Sequence, residues 1–142
     1  MRRLIPGLLL LAVVATGATG CNDNNNTPIT NPNPTPTPTI VTEVFSGTLR
    51  TNGASTFPFS ATAGGTVTVT LTTLTPDATL PIGLSLGTWT GSACQVVIAN
   101  DNAAQAAAIS GTVTSAASLC VRVYDVGRVS SAVDYAVTVG HP

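Results

Sequence analysis

The amino-acid sequence predicts an all-β fold, about eight short antiparallel strands packed as a two-sheet, jelly-roll-like sandwich. Three observations lead there. From residue 40 onward, short β-branched runs are separated by turn signals about every ten residues. Within those runs the apolar residues recur at every second position, and none of the chain after residue 40 carries a sustained helical spacing. Regular short strands suit a sandwich or a barrel. Each apolar face here is only three or four residues long, so two sheets must pack together to bury them.

The first run, Ile40-Val41-Thr42-Glu43-Val44-Phe45, leads into Gly47-Thr48-Leu49-Arg50 and closes on Asn52-Gly53. That dipeptide takes positive φ readily and is a strong hairpin signal. Phe57-Pro58-Phe59 follows; Pro58 has no N–H to donate to a ladder, which places this strand at an edge. Ala63-Gly64-Gly65 turns into Thr66-Val67-Thr68-Val69-Thr70-Leu71, a strict alternation with Val67, Val69 and Leu71 inward. Pro76-Asp77 and Pro81 frame a loop before Ile82-Gly83-Leu84-Ser85-Leu86, which alternates again. Residues 94–99, 107–113 and 119–126 supply three more strands. Residues 133–139 close the set, with Tyr135, Val137 and Val139 on one face. Residues 102–108 are the one stretch able to turn helical, and a helix that short is marginal alone.

Two segments of different composition precede the sandwich, which is expected over residues 40–142. Residues 1–20 read as a secretory signal: Met1-Arg2-Arg3, an apolar run over residues 4–15 broken only by Pro6 and Gly7, then small residues. A spanning helix needs about 20 apolar residues, so this run is too short to be a permanent one. Ala18-Thr19-Gly20-Cys21 resembles the bacterial lipobox. The resemblance implies that Cys21 receives a diacylglyceryl thioether, becomes the N-terminus and is N-acylated, typically with palmitate. Ala18 and Gly20 also suit an ordinary signal peptidase, which would release a soluble protein. Cysteine arithmetic favours the lipoprotein, because lipidation of Cys21 uses the odd thiol and leaves Cys94 and Cys120 as a pair.

Residues 21–39 form the linker. Pro32, Pro34, Pro36 and Pro38 alternate with Asn or Thr, which fixes φ and removes backbone donors. Such a segment is a semi-rigid spacer in the polyproline II conformation. The expected arrangement is a module tethered to a membrane in the bacterial cell envelope, periplasmic or surface-exposed. In an exported protein a Cys94–Cys120 disulfide persists. Cys94 shares a strand face with Val96 and Ile98, and Cys120 with Arg122 and Tyr124, so the bridge is expected near strand ends, where facing is looser.

The region from Phe57 to Val139 resembles the bacterial pre-peptidase C-terminal (PPC) domain family. The resemblance rests on Gly64-Gly65-Thr66-Val67-Thr68-Val69-Thr70-Leu71, Leu84-Ser85-Leu86, Cys120-Val121-Arg122-Val123-Tyr124-Asp125-Val126-Gly127 and Tyr135-Ala136-Val137-Thr138-Val139. It implies a jelly-roll sandwich of the kind appended to secreted bacterial enzymes, with collagen-binding, calcium-binding modules among its relatives. Two departures stand out. No catalytic domain accompanies it, and Gly83 and Ser85 stand where those relatives carry acidic residues.

Composition narrows the function. After residue 20 the chain keeps three arginines (Arg50, Arg122, Arg128) against six acidic residues, a net charge of −3, and it has no lysine. Binding to nucleic acid requires a basic footprint, so that class is excluded. Catalysis requires a nucleophile with a base, a carboxylate pair or a multidentate metal site. The one histidine, His141, is expected to fray at the chain end. Glu43 is the only glutamate. The expectation is therefore a non-enzyme: a module for adhesion or partner recruitment, alternatively a carbohydrate- or matrix-binding module, and remotely a hydrolase accessory domain.

Three acidic positions remain as calcium candidates: Asp101 in Asn100-Asp101-Asn102, Asp125 before Gly127, and Asp134. Calcium takes 6–8 oxygen ligands; residues of this kind more often form Asx-turns. For a protein or glycan partner the candidate residues are Trp89, the only tryptophan, with Arg122 and Tyr124 on the more polar face of their strand. Trp89 either packs in the core, the commoner fate, or lies exposed as an aromatic platform.

Overall fold

The computed structural model describes residues 36–142. The expected signal peptide, Cys21 and linker residues 21–35 lie outside the described residues. Residues 36–40 carry no regular secondary structure. Eight strands follow: β1 (Val41–Leu49), β2 (Ala54–Ala61), β3 (Gly65–Thr75), β4 (Ile82–Trp89), β5 (Cys94–Ala103), β6 (Ala108–Val113), β7 (Ala117–Tyr124) and β8 (Val133–His141). They form two four-stranded sheets with the orders β1-β8-β3-β6 and β2-β7-β4-β5. Every pairing is antiparallel. Successive strands alternate between the sheets, except for the β4–β5 hairpin. This connectivity is that of a jelly roll.

The core follows from period-two alternation. Val67, Val69 and Leu71 of β3, Ile82, Leu84 and Leu86 of β4, Leu119, Val121 and Val123 of β7, and Tyr135, Val137 and Val139 of β8 are all buried. Burying a Val or Leu side chain stabilises a fold by about 1.5–3 kcal/mol. β2 is an edge strand, as Pro58 requires.

The hairpin expected at Asn52-Gly53 is corrected. Asn52-Gly53 makes a tight turn, with Asn52 at φ 55° and the Gly53 N–H donating to the Arg50 carbonyl at 2.8 Å. It does not close a hairpin, because β1 pairs with β8 and β2 with β7. A turn dipeptide encodes chain reversal and not the choice of neighbour. Here the apolar faces of β1 and β2 meet across the core, where the rings of Phe45 and Phe57 stack at 5.0 Å. Residues 102–108, marginal as a helix, are not helical. β5 pairs with β4 as far as Ala103, and a turn with Ala106 at φ 72° delivers the chain to β6.

His141 departs furthest from expectation. It is 3 % exposed, and its Nε2 lies 2.9 Å from Glu43 Oε1. Its ring sits 5.1 Å from that of Phe59. β8 continues beyond Val139 because β1 and β3 both pair with its last residues, Val41 with His141 and Thr68 with Gly140. The Thr62 N–H then donates to the Pro142 carbonyl at 2.8 Å. A ladder on both sides replaces the fraying that position alone suggests.

Candidate functional site

β4 is flanked by β7 and β5 in its sheet. With Ile82, Leu84 and Leu86 turned to the core, alternation leaves Gly83, Ser85 and Gly87 on the outer surface. Two straps anchored in β7 cross above this strip of small residues to reach β5.

The first strap is a side chain. Tyr124 pairs with Gly83, and its ring lies over that glycine so closely that a Cβ would collide with it. The phenol reaches β5 and donates to the Asp101 carboxylate. Burial first, then the acceptor and negative charge of Asp101, push the Tyr124 phenol up to about 12. The guanidinium of Arg122 stands 5.3 Å from the centroid of the same ring. Such a cation–π contact contributes about 0.5–1 kcal/mol when exposed.

The second strap is the Cys94–Cys120 disulfide, whose Cα atoms lie 5.8 Å apart. Cys120 pairs with Gly87, above which the backbone at Gln95 and Val96 passes too closely for any Cβ. The mismatch of faces is resolved by a bulge. Leu86 pairs with Ile98 but Gly87 with Val96, so Val97 is the extra residue and the facing of β5 changes before Cys94. Between the straps Ser85 is fully buried, and its Oγ has no hydrogen-bond partner among the described residues.

Trp89 ends β4 beside its register partner Cys94. It is half-buried and lies outside the core cluster, so neither full core packing nor full exposure describes it. Alternation places it on the same outer face as the disulfide, Arg122 and Tyr124.

The three calcium candidates have separate tasks. Asp101 accepts from Tyr124. Asp134 lies on β8, in the other sheet, and accepts from the Thr48 hydroxyl at 2.6 Å. Asp125 accepts backbone N–H bonds from Asn52, Gly127, Arg128 and Val129 at 2.8–3.0 Å. Against desolvation, which pushes its carboxyl up, those four amides hold it below the usual carboxylate range. Asn100 Oδ1 accepts from the Asn102 N–H at 3.0 Å, an Asx-turn. Among the described residues no three His, Cys, Asp or Glu side chains gather to hold a metal ion.

The structure thus joins Arg122 and Tyr124 to Asp101 and sets Asp134 apart. The pairing of Tyr124 with Asp101 was missed from sequence. Its signal is the small-residue strip Gly83, Ser85 and Gly87 at every second position of a central strand, which marks close approach from above. Comparison of the chain with protein-family models and with curated proteins finds no match.

Proposed function

We propose that this protein is a non-catalytic lipoprotein of the bacterial cell envelope, anchored through Cys21, whose sandwich recruits a partner through the outer face of the β2-β7-β4-β5 sheet. The observation that carries this reading is the half-buried Trp89 on the same face as the Arg122–Tyr124 stack. Tyrosine, tryptophan and arginine are the residues most enriched at binding hot spots. Two cross-strand straps hold this surface rigid, which lowers the ordering cost of binding.

Support for a non-catalytic role comes from how the polar groups are engaged. His141 is buried against Glu43, Asp125 is occupied by backbone amides, and Asp101 and Asp134 accept from neighbouring hydroxyls. A carbohydrate- or matrix-binding module is the second reading, favoured by the position of Trp89 on an outer sheet face. The jelly-roll strand order also supports the resemblance to the PPC domain family.

An array of glycans and extracellular-matrix proteins, probed with wild type and Trp89→Ala, tests the binding face. We expect loss of about 2 kcal/mol or more of affinity, as for a hot-spot anchor, at an unchanged melting temperature. A destabilised fold with intact affinity assigns Trp89 to packing. For the anchor, wild type should partition into detergent and carry added lipid mass, and Cys21→Ser should lose both.

A further inference from the structure

β5 and β6 are the outermost strands of their respective sheets along one side of the sandwich. Between them opens a cleft of about 190 Å³ whose apolar lining includes Val67, Leu86, Val97, Ile98, Val113 and Leu119. Among the described residues no charged side chain lines it. We propose that this cleft binds the end of a single hydrocarbon chain carried by a free amphiphile such as a medium-chain fatty acid. The site is at the sandwich edge and does not depend on the outer-face reading above.

Size selects the occupant. A dry apolar cavity of ~150 Å³ holds benzene, so this cleft accommodates roughly six to eight carbon atoms. It is too small for the ~300–1,000 Å³ of a drug-sized ligand. Only Val96 and Val97 among the large apolar side chains of β5 and β6 are strongly exposed. That is far short of the ~800 Å² per partner of a stable protein interface. The lining also gives a sugar little to hydrogen-bond beyond the Thr88 and Thr112 hydroxyls.

Shape favours a chain over a ring. Val97, extruded by the bulge, lines the cleft yet is 71 % exposed. The apolar surface therefore continues past the mouth. A chain follows it outward and leaves its polar head in water, whereas a compact ring leaves Val97 bare.

The test uses the full chain with Cys21→Ser, so that no acyl group of its own competes. It is titrated with octanoate below its micelle concentration and followed by methyl NMR. Saturable shifts are expected at Val67, Leu86, Ile98, Val113 and Leu119, with Val41 and Val44 unmoved. At Gly111 a Cβ would stand 3.1 Å from Ile98 Cδ1 and 3.4 Å from Leu86 Cδ2, both movable side-chain ends. Gly111→Val should therefore fill the cleft and weaken binding at least tenfold at an unchanged or higher melting temperature. Val97→Ser, on an exposed side chain, should weaken it several-fold, and it decides the matter if Gly111→Val does not fold. Each of four results overturns the proposal: no saturable shift; equal shifts at Val41 and Val44; a dimer that buries Val97; or benzene binding as tightly as octanoate with no gain from hexanoate to octanoate.

Discussion

The two sides of the sandwich, where the edge strands of the sheets face each other, are built from different materials. Along the β1–β2 side the rings of Phe45 and Phe57 stack, Tyr135 meets Phe57 edge-on at 6.4 Å, and Phe59 packs on His141. Along the β5–β6 side the lining is valine, leucine, isoleucine, threonine and glycine, and a cleft remains. Large rings fill the space between facing edge strands, and small side chains do not. The second side is held from outside instead, by the disulfide and the Tyr124–Asp101 bond that tie β5 to β7. One side is closed by packing, and the other is strapped and left open.

Removing a ring from the closed side gives the largest expected effect. Phe59→Ala should cost about 3–5 kcal/mol, which for a domain of this size lowers the melting temperature by roughly 15–30 °C. A loss under about 1 kcal/mol would show that the rings do not carry this side. The disulfide comes next. Its cysteines lie 26 positions apart, and chain entropy assigns such a loop about 3.5 kcal/mol. In the Cys94→Ala/Cys120→Ala double variant, amide exchange should quicken in β5 before β1 or β2. Uniform acceleration would mean that the bridge acts on the whole domain and not on one side.

This division was only half legible in the sequence. Strand positions were legible because alternation is local: Val67-Thr68-Val69 announces its own inward face. Which strands become neighbours was not, since Asn52-Gly53 marks a reversal without naming the sheet in which the next strand pairs. The disulfide was legible by counting, but the bulge that reorients Cys94 depends on register across strands. His141 was misread because position in the chain suggests mobility, whereas two flanking ladders fix it. Trp89, Arg122 and Tyr124 were chosen by residue type, and the structure puts them on one face. Asp101 was grouped with Asp125 and Asp134 by chemistry alone, and its partner proved to be a phenol.

The smallest expected effect sharpens the polar half of the strapped side. The chain has two tyrosines. Burial and Asp101 push the Tyr124 phenol up to about 12, and burial also raises that of Tyr135. Both shifts run upward from the ordinary value of about 10, so an absorbance titration of the folded protein should show its tyrosine ionisation displaced to higher pH, with Tyr124 ionising only towards about 12. The raised value means that the folded state holds its phenolic protons after the unfolded chain has released them. This contribution to stability is complete below pH ~10 and disappears as pH rises towards ~12. Tyr124→Phe deletes one of the two groups. At neutral pH it should cost only about 0.5–1.5 kcal/mol, the net value of one hydrogen bond, because the ring still covers Gly83. The alkaline loss of stability should become shallower, with Tyr135 supplying what remains. If Tyr124→Phe leaves the alkaline profile unchanged, the Asp101 bond does not hold β5 to β7, and the disulfide is the only strap across that face.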